Sequence, residues 1–205
     1  MKRNLFILFF TCAVSFAFFQ CGQDTSKPAV NADSTQTAAR YGGYESQAKW
    51  GEHLVSYSGC TDCHTPKKMT DHGPVDDSSM FLAGHPAKMP LPDVDRKEIE
   101  KKGLGVTRGL TEWIGPWGVS FAANLTPDST GIGRWTEDQF LFAIKNGKYK
   151  GLPDSRPLLP PMPWQGIKQM TDEELKAVFA YLKTVRPVNN VVPAAMPPLS
   201  APPGR

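Results

Sequence analysis

The sequence predicts a mainly α fold in which three core helices are joined by long loops. The chain has 205 residues, enough for one globular domain with appendages but too few for two large domains. Its 18 glycines and 19 prolines make up nearly a fifth of the chain, against an average usage of roughly 12%. This content argues against an all-helical bundle, whereas apolar residues recur at helical spacing in three separate segments.

The first predicted helix covers Tyr44–Ser58 and ends at Gly59, a residue that commonly terminates helices. Its apolar face consists of Trp50, Leu54, Val55 and Tyr57. A further segment, Lys97–Lys102, is a candidate short surface helix. It lies within a long, charged stretch at residues 65–112 that we otherwise expect to form a loop.

The other two core helices begin with capping signals. Thr136 and Gln139 form a capping-box pattern, and Gly147 ends the helix that follows. Thr171 and Glu174 form the same pattern in front of the last helix, which we expect to close by Pro187. The apolar stripes of these two helices consist of Phe140, Ala143 and Ile144, and of Leu175, Val178, Phe179 and Leu182.

The amino terminus has the features of an export signal. A basic start precedes the apolar stretch Leu5–Phe19, which is too short for a comfortable membrane span and fits a signal peptide over residues 1–20. Cys21 stands where the apolar stretch stops, which favours a lipoprotein that is cleaved before Cys21 and lipidated on it. Gln20 departs from the small residue usual at that position. An uncleaved anchor and cleavage at another site are the alternatives.

The composition divides the rest of the chain into a tether, a domain and a tail. Residues 21–43 are small and polar, as in a flexible tether. Residues 44–187 form the predicted domain. Residues 188–205 are proline-rich and are expected to form an extended tail that neither continues a helix nor joins a sheet. Together these features predict a lipid-anchored protein on the periplasmic side of a bacterial membrane.

Charge and hydropathy exclude two broad classes of protein. The formal net charge is +3, and Lys2 and Arg3 at the extreme N-terminus contribute most of it. Because nucleic-acid binding needs a basic face, this balance argues against nucleic acid as a partner. The mean hydropathy of −0.35 excludes a polytopic membrane protein.

The decisive motif is Cys60-Thr61-Asp62-Cys63-His64. C-x-x-C-H is the attachment sequence of c-type haem, in which both thiols add to the vinyl groups of the porphyrin. The spacing allows Cys60 and Cys63 to meet one edge of the macrocycle, and it places His64 under the iron as proximal ligand. The chain contains one such motif, so we expect one covalent haem c.

Three other uses of this motif have weaker support in the sequence. A thioredoxin-like C-x-x-C requires a βαβ context, and no parallel-strand pattern surrounds this pair. A structural zinc site requires four ligands, whereas Cys60, Cys63 and His64 supply three and no second pair follows. A disulfide between Cys60 and Cys63 remains geometrically possible in an exported protein.

Met162 is the predicted distal ligand of the iron. It lies in Arg156–Trp164, where closely spaced prolines stiffen an extended backbone and present one thioether. A thioether favours ferrous iron and raises the reduction potential. His72, His85, Met89 and an open sixth position remain alternatives, and the other competing side chains are His53, Met69, Met80, Met170 and Met196.

Four segments in combination resemble a known family. They are Gly51–Val55 leading into C-T-D-C-H-T, Asn124–Asp128, Gly131–Thr136 and Arg156–Trp164. They resemble the class I cytochrome c domains in the multihaem subunits of bacterial alcohol, aldehyde and gluconate dehydrogenases. The resemblance implies a class I cytochrome c fold, with three core helices around one haem and His64 and Met162 as axial ligands. The chain departs from those subunits in its single haem motif and in its long stretch at 65–112.

These inferences predict a periplasmic, membrane-tethered c-type cytochrome that carries single electrons and is not itself an enzyme. Its expected partners are redox proteins, either a dehydrogenase or a terminal oxidase, with the membrane contacted through the lipid anchor. The alternatives are a haem peroxidase or gas-binding protein, which requires an open sixth position, and a cytochrome subunit fixed in an oxidoreductase complex.

Replacement of Cys21 tests the anchor. Cys21→Ala should release the protein from membranes or leave its signal uncut, because the thiol that receives the lipid is gone. Membrane fractionation and mass spectrometry of the mature N-terminus measure both effects. An unmodified mature N-terminus at any other residue would contradict the lipoprotein hypothesis.

Overall fold

The computed structural model describes Gln36 and residues 40–200, which include six α-helices, two short 3-10 helices (Ser78–Met80 and Tyr149–Gly151) and two β-hairpins. The helices are α1 Gln47–Tyr57, α2 Cys60–His64, α3 Arg96–Lys102, α4 Glu137–Asn146, α5 Trp164–Ile167 and α6 Asp172–Leu182. The strands are β1 Lys67–Thr70, β2 Gly73–Asp76, β3 Glu112–Gly115 and β4 Gly118–Phe121. The predicted signal peptide, Cys21 and most of the tether lie outside the described residues.

Helix α1 packs most extensively against α6, and α4 packs against α6 as well. The backbones of α1 and α6 meet at Gly51, where a Cβ atom would lie 1.8 Å from the carbonyl oxygen of Ala177. The three helices predicted from periodicity are therefore the three that build the core. Helix α6 ends at Leu182, earlier than the predicted limit at Pro187.

The inward face of α1 differs from the predicted face at one residue. Gly51, Leu54 and Val55 are buried, whereas Tyr57 is 82% exposed. Successive residues of an α-helix are separated by about 100°, so Tyr57 lies about 200° around the helix from Val55. Inclusion of Tyr57 in the apolar face was therefore wrong.

The predicted capping signals are confirmed in different degrees. At α6 the box is complete, because the Thr171 side chain accepts a hydrogen bond from the Glu174 amide while the Glu174 carboxylate accepts one from the Thr171 amide. At α4 only half of it forms. Thr136 accepts from the Gln139 amide, but the Gln139 side chain donates to the carbonyl of Lys150, 2.7 Å away.

One large apolar cluster forms the core between these helices. Its buried members are Leu54, Val55, Leu82, Ile132, Phe140, Ile144, Leu175, Ala177, Val178, Phe179, Leu182 and Val185. Half-buried residues that pack against it include Trp50, Cys60 and Met162. The cluster thus joins all three core helices to one cysteine of the haem motif and to the loop with the predicted distal ligand.

The stretch at 65–112 is more structured than the loop predicted for it. It contains the β1–β2 hairpin, helix α3 and the start of the β3–β4 hairpin. Ile99, Ile114 and Val119 form a second small apolar cluster. The hairpins were not predicted from the sequence, because strand formation depends on partners across the sheet and the local sequence indicates it only weakly. The candidate surface helix is confirmed as α3.

The prediction that the tail joins no sheet is wrong, because one tail residue forms a bridge to a strand. The amide and carbonyl of Met196 each bond to Val119 of β4, with both N–O distances at 2.9 Å. Earlier in the tail, the Asn190 side chain is buried and donates to the carbonyls of Ala83 and His85. Prolines prevent a continuous strand here, but they leave the remaining amides free to form single bridges.

Replacement of Gly51 tests the close packing of α1 against α6. Gly51→Ala should lower the free energy of unfolding by about 1–3 kcal/mol or more, because the added methyl group overlaps the Ala177 carbonyl. Gly166→Ala in α5 is the control, since no atom lies within 4 Å of its added Cβ and alanine favours helices. Denaturant unfolding of the haem-loaded proteins measures both. Equal stability of the two variants would contradict this account of the crossing.

Candidate functional site: a haem-binding motif and its supports

The three residues of the predicted attachment site share the short helix α2. Gly59 precedes α2 in the left-handed conformation, with φ at 67°, which turns the chain sharply after α1. Cys60 and Cys63 are both half-buried free thiols, and His64 is buried. One turn of helix therefore presents two thiols and one imidazole from a single rigid element.

The His64 ring is oriented by one hydrogen bond. Its Nδ1 lies 2.8 Å from the backbone carbonyl oxygen of Ala123, which can only accept, so Nδ1 carries the proton and donates. In the neutral ring this leaves the lone pair on Nε2. A hydrogen bond of this kind fixes the tautomer and orientation of a metal-binding histidine and increases its basicity toward the metal.

Burial sets the protonation of all three groups. Desolvation lowers the pKa of His64, although the hydrogen bond to Ala123 opposes this shift, so the ring is neutral near pH 7. Burial raises the pKa of Cys60 to about 11 and also raises that of Cys63, where the nearby Asp62 carboxylate adds to the effect. Without an attached group, both thiols therefore remain protonated at neutral pH.

A pair of antiparallel segments holds the Ala123 carbonyl in place. The amide of His85 donates to the Ala122 carbonyl, and the amide of Leu125 donates to the Leu82 carbonyl. The amide of Gly84 in turn donates to the carbonyl of His64, at 2.8 Å. Segment 82–85 thus connects the end of α2 to segment 122–125. Gly84 bonds to the backbone carbonyl of His64, and Ala123 bonds to its ring.

Gly84 is required by this close approach. It has φ at 73°, and a Cβ atom there would lie 2.4 Å from the carbonyl oxygen of Ala122 and 2.6 Å from that of Ala123. Any side chain would therefore displace the carbonyl that orients His64. Its need for glycine is both conformational and steric.

Met162 lies in a loop that the fold fixes at several points. The amide of Leu158 donates to the Gly147 carbonyl at 2.7 Å, and the Met162 amide closes a turn onto Leu159 at 3.2 Å. A cavity of about 210 Å³ is lined by residues of this loop and its continuation, from Leu158 to Gln165. The side chain of Met162 is half-buried against the main core cluster, which Cys60 also contacts.

His85, an alternative distal ligand, is buried in a polar network of its own. Its Nδ1 lies 3.0 Å from the hydroxyl of Thr111 and 3.4 Å from the carboxylate of Glu112, while its Nε2 lies 3.4 Å from the Met89 carbonyl. Burial tends to raise the pKa of Glu112, but hydrogen bonds from His85, Arg108 and Thr111 bring it below its usual range. Neither ring nitrogen of His85 is left without a protein partner.

The other candidate distal ligands are spread over different parts of the structure. His72 is exposed at the turn between β1 and β2, and Met69 on β1 is 79% exposed. His53 on α1 stacks on Tyr44, with ring centroids 5.1 Å apart. The half-buried methionines are Met80, Met89 and Met170, and Met196 is in the tail. Of all the competitors, only Met170 is grouped with Met162 against the main core cluster.

The residues at α2 fit a covalently attached haem. Two thiols and a neutral imidazole with a free Nε2 are the donor set that the attachment chemistry needs. The disulfide considered from the sequence is not formed between Cys60 and Cys63. Within residues 40–200, no group of three or more His, Cys, Asp and Glu side chains gathers into a site for a free metal ion.

The fold and site define a c-type cytochrome. The family model for cytochrome c matches residues 48–186, most of the chain, and the protein belongs to the cytochrome c family. Membership implies covalently bound haem c and a role in electron transfer rather than catalysis.

Several relatives with similar sequences are cytochrome subunits of dehydrogenases. The cytochrome c subunit of a quinone alcohol dehydrogenase from Gluconacetobacter polyoxogenes is 38% identical over 90 residues, covering 43% of this chain and 18% of the relative. The fructose dehydrogenase cytochrome subunit of Gluconobacter japonicus is 36% identical over 85 residues (40% and 17%). The gluconate 2-dehydrogenase cytochrome c subunit of Pantoea cypripedii is 27% identical over 134 residues (65% and 22%).

These matches confirm the resemblance inferred from the motifs, for the alcohol and gluconate enzymes in particular. The chain spans less than a quarter of the length of each of these three relatives. The shared part is therefore one domain of each relative. The dehydrogenases in the names of these relatives are associated with much longer proteins.

The residues that support the site were harder to find from sequence. The acceptor for His64 is a backbone carbonyl, which any residue could supply. Gly84 lay in the stretch expected to be a loop, and Asn190 lay in the expected free tail. The one available signal was the family-like segment Asn124–Asp128, which begins directly after Ala123 and whose Asn124 side chain is buried.

Replacement of Gly84 tests the support of His64. Gly84→Ala should raise the reduction potential, because a displaced Ala123 carbonyl weakens the hydrogen bond that makes His64 a strong donor to ferric iron. Gly103→Ala is the control, since Gly103 has φ at 69° but no atom within 4 Å of an added Cβ. Both variants pay about 1–2 kcal/mol for a left-handed alanine. A redox titration that gives the two variants equal potentials would contradict this role of Gly84.

Proposed function

We propose that this protein is a class I cytochrome c with one haem, tethered by lipid on Cys21 at the periplasmic side of a bacterial membrane, and that it carries single electrons. The observation that carries the proposal is the helix α2, which presents Cys60, Cys63 and a His64 whose Nε2 is free. Bound haem supplies the one-electron chemistry because its iron alternates between ferric and ferrous states.

The proximal side supports a carrier with a well-defined ligand geometry. His64 is neutral, buried and held by the Ala123 carbonyl. An imidazole fixed in this way needs little reorganisation when the charge on its metal changes by one. His64 is only 8% exposed to solvent, and burial is one of the factors that set the potential of a haem protein.

On the distal side, we propose Met162 as the second axial ligand. Its half-buried thioether contacts the same core cluster as Cys60, and its loop is tied to Gly147 and Leu159. The protein partners on both ring nitrogens of His85 make that residue a poor rival. A six-coordinate iron favours electron transfer over binding of peroxide or gases, because no position is left open.

The proposed membrane tether rests on the sequence of residues 1–43. In the described part of the chain, no helix is long and apolar enough to span a bilayer. The cysteine at position 21, at the end of an apolar stretch, is the feature that favours lipid attachment. Lipid on Cys21, followed by the polar linker of residues 22–43, would tether the domain to the membrane without a spanning helix.

We propose a membrane-bound dehydrogenase as the redox partner, in keeping with the relatives, and a terminal oxidase as the alternative. A mobile carrier and a fixed subunit differ in interface size, since transient redox encounters bury small areas. Purification from membranes at high salt separates them, because a fixed subunit retains its dehydrogenase and a mobile carrier does not.

The haem number and its attachment are tested together. The protein matured with haem attachment should exceed its polypeptide mass by one haem and keep that mass after denaturation. Its absorption spectra, oxidised and reduced, should be those of a low-spin c-type cytochrome. Extraction of the haem by acid–acetone, or a mass increase of two haems, would contradict the proposal.

Replacement of Met162 tests the distal ligand. Met162→Ala should remove the weak near-infrared sulfur-to-iron band of the oxidised protein and open the iron to small ligands. It should also lower the reduction potential by on the order of 100 mV, because the thioether favours ferrous iron. Met162→His should keep six-coordination and also lower the potential, since imidazole is the stronger donor to ferric iron.

Met170→Ala provides the matched control for this experiment. Met170 is also half-buried against the main core cluster, so its loss removes similar packing without removing a proposed ligand. It should leave the band and the potential unchanged. If Met162→Ala leaves the band intact while a change at Met89 removes it, the assignment of Met162 is wrong. It is also wrong if the parent lacks the band and a change at His85 or His72 opens the iron to small ligands.

A further inference from the structure

The loop that presents Met162 has few backbone donors of its own. Pro157, Pro160, Pro161 and Pro163 carry no N–H group, so they cannot donate to a neighbouring element. The loop between the Leu158 and Met162 amides must therefore be held largely through groups that donate to its carbonyls. The donors that surround the loop therefore determine how firmly its backbone is held.

One buried side chain meets that need. The hydroxyl of Ser120 donates to the carbonyl of Pro160, with the two oxygens 2.6 Å apart. Ser120 lies on β4 and is only 6% exposed. Since Pro160 precedes Met162 by two residues, the contact acts on the backbone close to the proposed ligand.

Trp117 fixes the direction of this hydrogen bond. Its indole Nε1 lies 3.1 Å from the Ser120 oxygen, and an indole N–H can only donate. The serine oxygen therefore accepts from Trp117, which leaves the hydroxyl proton for the Pro160 carbonyl. The two hydrogen bonds therefore run in one direction, from Trp117 to Ser120 and from Ser120 to Pro160.

The strand that carries Ser120 is itself held on both sides. Trp113 of β3 is its register partner, and the neighbouring Val119 is bridged to Met196 of the tail. Val119 is also buried in the small apolar cluster with Ile114. A donor mounted on such a strand can resist displacement of the loop, whereas a donor on a free loop would move with it.

We infer that Ser120, oriented by Trp117, is a positioning residue that holds the Met162 loop over the haem iron. This inference rests on the proposed assignment of Met162 as distal ligand. It gives a role to the folded stretch that includes β3 and β4: this part of the domain supports the ligand loop from outside the three core helices.

The test measures how easily an added ligand displaces Met162. Imidazole is titrated into the oxidised holoprotein while the sulfur-to-iron band is followed. Ser120→Ala should bind imidazole about two- to tenfold more tightly than the parent, because loss of one hydrogen bond weakens the bound position of the loop. Ser120→Thr keeps the hydroxyl and should restore affinity to near that of the parent.

Thr111→Val is the matched control in the same part of the fold. Its hydroxyl is also buried, but its side-chain hydrogen bonds go to His85 and Glu112 and not to the ligand loop. This variant should lose stability while its imidazole affinity stays at the parent value. An equal increase in both variants would show general loosening and overturn the inference.

One further variant, together with Met162→Ala, separates the possible failures. Trp117→Phe removes the indole N–H with β4 unchanged, so it should also tighten imidazole binding even if Ser120→Ala folds poorly. If Met162→Ala loses the band but Ser120→Ala and Trp117→Phe both bind imidazole as the parent does, the inference alone is wrong. If Met162→Ala keeps the band, the proposed ligand and the inference fall together.

Discussion

The hydrogen bond from His64 Nδ1 to the carbonyl of Ala123 is the constraint on which the rest of the site depends. It selects the tautomer, turns the ring and leaves Nε2 as the only nitrogen able to bind a metal. A backbone carbonyl cannot be swapped by changing a side chain, so the fold must deliver it by placing the chain correctly. Much of the structure around α2 serves this placement.

The buried asparagines show how that placement is stabilised. The Asn124 side chain accepts from the Thr126 amide and donates to the carbonyl of Val188, so it joins the segment after Ala123 to the tail. Asn190 accepts from the amide of Ala87 and donates to two carbonyls of segment 82–85. Each asparagine thus satisfies several backbone groups that would otherwise be buried without partners, a situation that costs about 1–3 kcal/mol per group.

Local chemistry made much of this protein predictable from its sequence. The core helices follow from apolar spacing and from caps such as Thr171, and the attachment motif consists of neighbouring residues whose chemistry is fixed by their types. The supports of His64 and of the Met162 loop could not be predicted in the same way. Ala123 contributes only a carbonyl, Ser120 is one serine among many, and both act through partners far away in the sequence. The error at Tyr57 has a similar origin, since periodicity predicts a stripe but only packing decides where it ends.

The bridge between Met196 and Val119, together with Asn190, has a consequence for how the native protein opens. The contacts of Asn190 join residues about a hundred positions apart in the chain. Forming them therefore costs more conformational entropy than forming a contact inside a helix. The bridge at Met196 consists of two hydrogen bonds rather than a full strand, and segments with few such bonds open at lower free energy than the core. We therefore expect the tail to detach at a lower free energy than that needed to unfold the three-helix core. Because Asn190 is bonded to the segment that supports His64 and Met196 to the strand that carries Ser120, detachment of the tail would loosen the supports of both His64 and the Met162 loop.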